Sequence, residues 1–241
     1  ADPAAQVMAL RQGKTDKPAK YSHRFVGANH VLTDTGMGDA LSVLRGGLLP
    51  GMDATTNKAT LDEQARQTAA FMRSAAGLEL RGTRRDGDTL HLDIAVQNLG
   101  AGHNLPTGVN DQKHIWLEVV VTDASGAEVF RSGGAAEHLG VEDPEAVAWI
   151  EHFLDNQGRR LTDHLTFATA KVVWMRRPIP PKGEDVVGYD LPLPAPGPLH
   201  LEARLYYKIA LPELIFTNLR REMALPSFTL AELSVDLPDV P

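Results

Sequence analysis

The chain of 241 residues contains no cysteine. That absence excludes disulfides, thiolate zinc sites, iron–sulfur clusters and covalent haem attachment through Cys-x-x-Cys-His within these residues. No apolar run approaches the ~20 residues of a membrane helix, so no membrane span is expected. The chain opens Ala1-Asp2-Pro3-Ala4 with no hydrophobic signal core, as expected of a processed terminus or of a boundary within a longer protein. Basic residues are the minority, 24 Lys and Arg against 31 Asp and Glu, for a formal net charge of -7. A nucleic-acid partner is not expected, because such partners demand a basic face. Catalytic signatures are missing as well. There is no Gly-x-Ser-x-Gly elbow, phosphate loop or dinucleotide fingerprint. No pair of carboxylates is set apart by its context as an acid and base. A hydrolase is therefore the class least expected.

What is present is ordinary globular material, 43% hydrophobic and 23% charged. Residues 1–57 read as an extended arm or linker containing a histidine-rich segment, and 58–241 as a β-sandwich domain with a leading helix. That helix is expected over 61–76, with Thr60 as N-cap and Glu63 three residues on in a capping-box pattern. Leu61, Ala65, Ala69, Met72 and Ala76 share one face, and Gly77 supplies a stop. Beyond it the period changes from helical to alternating. Leu90, Leu92, Ile94 and Val96 alternate with His91, Asp93 and Ala95. Strands are also expected over 115–121, 128–131, 171–175, 185–189, 201–209 and 227–235, separated by Gly, Pro and Asp turns. The fold class that follows is mainly β: an antiparallel, Ig-like β-sandwich with one helix and an extended N-terminal arm.

Two groups of residues stand out as candidates for chemistry. The stretch 98–108 reads Asn-Leu-Gly-Ala-Gly-His-Asn-Leu-Pro-Thr-Gly and joins one convincing strand to another. Its three glycines allow sharp turns and close backbone approach, so His103 is held between bends, and His114 opens the next strand. Two readings stand side by side: a structural loop whose His103 bonds a carbonyl, and a loop that presents an imidazole. The second group is 21–30, where His23 and His30 fall among Tyr21 and Phe25. Imidazole nitrogen is a common ligand of haem iron, copper and zinc. If the arm folds back on the loop, His23, His30, His103 and His114 are the candidate metal ligands, and copper is the alternative cofactor. His91, His138, His152, His164 and His200 lie in polar surroundings and read as surface residues.

At these two places the sequence resembles the cysteine-free C-terminal region of bacterial multihaem c-type cytochromes. The likeness rests on Ser22, His23, Phe25 and Gly27, then on Asn98, Gly100, Ala101, Gly102, His103, Leu105, Pro106, Thr107 and Gly108. Trp116, Asp123, Gly126, Ser132 and Gly133 extend it, so that it spans roughly 21–207. The resemblance implies a periplasmic or extracellular accessory domain that packs on a haem-bearing domain or redox partner protein. It implies haem c attached elsewhere, with His23, and His30 or His103, approaching or ligating the iron. The roles it implies are haem shielding, an axial imidazole or partner docking, in place of a self-contained enzyme. The alternative is a stand-alone periplasmic copper-binding or other metal-binding β-sandwich. The departure from the family is the missing haem-attachment motif.

Overall fold

The computed structural model describes residues 26–33, 58–134, 146–192, 197–223 and 225–238. A short 3-10 turn (His30–Thr33) precedes helix α1 (Lys58–Arg73). Then come β1 (Ala76–Asp86), β2 (Thr89–Asn98), β3 (His114–Asp123), β4 (Glu128–Ser132), β5 (Val147–Trp149), β6 (Glu151–Leu154), β7 (Lys171–Trp174), β8 (Glu184–Pro192) and β9 (Leu199–Lys208). Helix α2 (Pro212–Leu219) and strand β10 (Phe228–Leu237) complete the order.

One sheet runs β1-β2-β8 and the other β10-β9-β3-β4, with β5 pairing the start of β3. Every pairing is antiparallel. Strands β6 and β7 form a separate two-stranded ribbon. Leu92, Ile94 and Val96 of β2 and Val187, Tyr189 and Leu191 of β8 turn inward from the first sheet. Ile115, Leu117, Val119 and Val121 of β3 and Leu201, Ala203 and Leu205 of β9 meet them from the second. Side chains two apart share a sheet face, so the alternation read from β2 and β9 is what builds this core. The chain is the expected antiparallel β-sandwich.

Strand β3 departs from simple alternation, being buried at eight consecutive positions from His114 to Val121. Its outer face carries His114, Trp116 and Glu118, and Ile150 and Leu211 pack over Trp116. Glu118 is buried with its charge matched. Arg131 Nη1 donates to Oε1 at 2.7 Å and Tyr206 Oη donates to Oε2 at 3.1 Å. Trp149 plugs the inner core and donates Nε1 to Asp185 at 2.9 Å, while Arg176 grips both oxygens of the same carboxylate at 2.7 and 2.6 Å.

The helices differ from the sequence expectation. Helix α1 begins at Lys58, so Thr60 lies inside it, and it ends at Arg73. Ala76 and Gly77 already belong to β1. The helix stops because the Ser74 hydroxyl and the Ala75 amide donate to the carbonyls of Phe71 and Met72 at 2.6 and 3.0 Å. Its deepest residues are Thr68 and Met72, one turn apart. Among the described residues there is also a helix that the sequence reading, which expected a single one, did not foresee. In α2, Pro212 occupies the first turn with Glu213, and Arg220 closes the helix in the left-handed conformation. The eight residues of α2 carry too little periodicity to announce a helix; Ile215, packed on Val31 and Leu225, holds it in place. Residues 26–33, assigned by sequence to the arm, pack on the sandwich through that same cluster.

Candidate functional site

The loop between β2 and β3 is clamped from both ends by one side chain. Asn98 is fully buried. Its Nδ2 donates to the carbonyls of His103 at 2.8 Å and Ile179 at 3.0 Å, and its Oδ1 accepts from the Ala101 amide at 3.2 Å. An amide can satisfy both donors and an acceptor in this way where no other short side chain can. The loop also lies hard against the end of α1, where the amides of Leu99 and Gly100 donate to the Ala75 carbonyl at 2.9 and 3.2 Å. A Cβ on Gly100 would stand 2.2 Å from the Ser74 carbonyl oxygen, so only glycine fits there. Further along, Leu105 and Ile179 exchange two backbone hydrogen bonds of 2.9 and 2.8 Å.

Between these clamps His103 is exposed. Its Nδ1 lies 2.9 Å from the Asn104 carbonyl oxygen. A carbonyl can only accept, so Nδ1 carries a proton, and in the tautomer this contact selects the lone pair falls on Nε2. Nε2 has no hydrogen-bond partner among the described residues. A carbonyl thus fixes the ring of an exposed histidine, as the structural reading of the loop expects. A backbone carbonyl holding one nitrogen is the usual arrangement behind a metal-ligating imidazole.

His103 borders a groove of about 300 Å³. Its walls come from α1 (Phe71, Met72), from the loop (Gly100 to Gly102, Leu105, Pro106) and from the sheet (Ile115, Tyr207, Leu230). Ala28 closes one side, and Lys113 is the cation on the wall. Such a concave, largely apolar surface with a few polar groups is what binding sites share. A hollow of about 380 Å³ over Asp86, Thr89, His91, Asp190 and Pro192 has no buried residue in its lining.

The other candidate histidines fare differently. His30 is half-buried behind the groove wall, tilted 5.9 Å from the Tyr207 ring and 5.4 Å from the Phe228 ring. Its Nε2 donates to the Pro226 carbonyl at 3.2 Å. It anchors the segment that places Ala28 at the groove. His114 points to the opposite face of β3 from Ile115, away from the groove. It is buried, lies 5.0 Å from the Trp116 ring, and its Nδ1 has no partner among the described residues. Burial, reinforced by Arg160, His152 and Lys208, pushes its pKa down to about 3. His23 lies outside the described residues, as does His138. Among the described residues no three His, Asp or Glu side chains gather as a metal site.

Several polar groupings escaped the sequence reading. His164 pairs with Asp111, Nδ1 to Oδ2 at 2.6 Å, and not with its neighbour Asp163. Burial lowers the pKa of half-buried His152, and burial with the nearby Asp111 raises that of Glu151. Register also aligns a serine, a histidine and an aspartate: Ser234 Oγ lies 3.1 Å from His200 Nε2, and His200 Nδ1 lies 2.6 Å from Asp236. All three lie on the exposed faces of β9 and β10, where Asp236 is almost wholly in water. They form a cross-strand polar ladder. The only signal that could have located it was the strand pairing itself.

Comparison with known proteins finds no matching family model and no matching curated sequence. Among solved structures, the chain is similar to a penta-haem cytochrome c552 from Thermochromatium tepidum, at 20% identity and a TM-score of 0.52. The match covers 69% of this chain and 41% of the cytochrome, so the chain spans well under half of that protein's length. At this identity the likeness shows the fold. Weaker likenesses include a hypothetical protein from Pyrococcus horikoshii (14% identity, 66% of this chain and 84% of that one, TM-score 0.26). A CARDB domain from Pyrococcus furiosus is similar at 8% identity, 67% and 84% coverage and a TM-score of 0.24. A module of this shape thus occurs within a larger multihaem protein.

Proposed function

We propose that this chain is an extracytoplasmic accessory module of a multihaem electron-transfer system, and that the groove beside His103 is where it meets a haem-bearing partner. The observation that carries the reading is the state of His103: exposed, oriented by the Asn104 carbonyl, with its lone pair on Nε2 at the edge of an apolar groove. The residues fit a haem. Imidazole Nε2 is a standard axial donor, and apolar walls exclude water from a macrocycle edge, which tunes its potential. The absence of cysteine requires that the haem be attached to other residues than these. The fold shared with part of a penta-haem cytochrome supports the same assignment, and a periplasmic or extracellular location is part of the proposal.

In this reading the haem, when bound, supplies the electron-carrying iron, and the chain supplies orientation and shielding. Asn98 and Gly100 fix the loop, the Asn104 carbonyl sets the tautomer, and Met72, Leu105, Pro106, Ile115 and Leu230 keep the groove dry. Titration with a haem-c peptide that has one open axial position tests it. The wild-type chain is expected to convert the ferric peptide to a low-spin spectrum, and His103→Ala to leave it high-spin. The same conversion in both proteins would remove His103 from the site.

A further inference from the structure

We infer that Lys113 is the carboxylate seat of the groove and that it pairs with a haem propionate, an inference that rests on the haem-docking reading above. Lys113 is half-buried on the groove wall beside apolar side chains. Its Nζ donates to the Thr107 carbonyl at 3.3 Å, and it joins no ion pair with a described residue. An ammonium has three donors, so after that bond two remain to be offered. Gly108 keeps the approach open: it sits at a φ of +81°, and even a Cβ there would come to 3.4 Å of Nζ.

The energetics select an anionic ligand. Covering a lysine with an apolar surface strips water from its charge, which is costly unless an opposite charge arrives with the cover. A purely apolar occupant would therefore be penalised at Lys113. A flat apolar body bearing a carboxylate answers both features of the lining, with its carboxylate on the ammonium and its apolar edge on side chains such as Met72, Leu105 and Leu230. A haem edge with its propionate has that chemistry, and the propionate is independent of the iron bond that His103 offers.

The independence of the two contacts gives the test. Ferric protoporphyrin IX and its dimethyl ester, dispersed in the same neutral detergent, are titrated by absorbance into wild type, Lys113→Gln, Lys113→Arg and His103→Ala. The wild type is expected to bind the free acid about tenfold more tightly than the diester, the scale of one charge-assisted contact. Lys113→Gln loses that preference while keeping the His103-dependent shift of the porphyrin absorbance band, and Lys113→Arg restores it. Equal affinity of wild type for acid and ester, or a preference that survives in Lys113→Gln, overturns the role of Lys113 and leaves the His103 reading intact. An absorbance shift that persists unchanged in His103→Ala, or no spectral change with either porphyrin, overturns the docking reading and this inference together.

Discussion

His103 and His114 stand eleven positions apart in sequence, one inside the β2–β3 loop and one at its end, and the fold gives them opposite surroundings. His103 is exposed, with one nitrogen fixed by a carbonyl and the other offered to the surface. His114 is buried on the far face of β3, beside Trp116, with its basicity suppressed to a pKa of about 3. A ligand needs a lone pair that can be reached, and a buried imidazole with no described partner for Nδ1 does not offer one. The comparison shows that residue type and spacing nominate histidines, while burial decides which of them can act.

The largest test of that contrast is acid stability. The pKa of His114 is depressed on folding, so between pH 6.5 and about 3 the unfolded chain takes up a proton that the folded chain refuses. Its contribution is complete above pH 6.5 and is lost as pH falls, amounting to about 3 kcal/mol by pH 4. Urea unfolding of wild type and His114→Phe at pH 7 and pH 4 is expected to show a smaller acid loss in the variant by that amount. Parallel losses would mean that His114 titrates normally and is not sealed.

The next effect concerns the clamp. Asn98→Ala removes three hydrogen bonds from a fully buried position and leaves two carbonyls and an amide without that partner. A loss of about 3 kcal/mol in unfolding free energy is expected. The amide signals of 100–104 should broaden or shift with it, and an unchanged loop spectrum would show that other contacts hold His103. The smallest effect belongs to His103 itself. Its ring is exposed, so His103→Ala should change stability by no more than about 0.5 kcal/mol. A larger cost would assign it a structural role in place of a presenting one.

Much of this was legible in the sequence because local patterns caused it. The period-2 runs of β2 and β9 became inward-facing rows, and the glycine-rich stretch 98–108 became a bent loop with His103 exposed. Helix α2 was not legible, since it owes its conformation to Ile215 packing on Val31 and Leu225. Nor could the outer face of β3 be foreseen, because its cover arrives from residues such as Ile150 and Leu211, far along the chain. The Asp111–His164 pair and the Ser234–His200–Asp236 ladder follow from a loop closure and a strand register that no local pattern encodes.

By itself, then, the sequence determined an antiparallel sandwich and the bend that carries His103, since these depend on residue type and short-range periodicity. Tertiary structure alone decided that His103 faces an apolar groove with Lys113 on its wall while His114 is shut away. Accessibility and desolvation are set by what long-range packing brings over a residue, and that is a property of the whole fold.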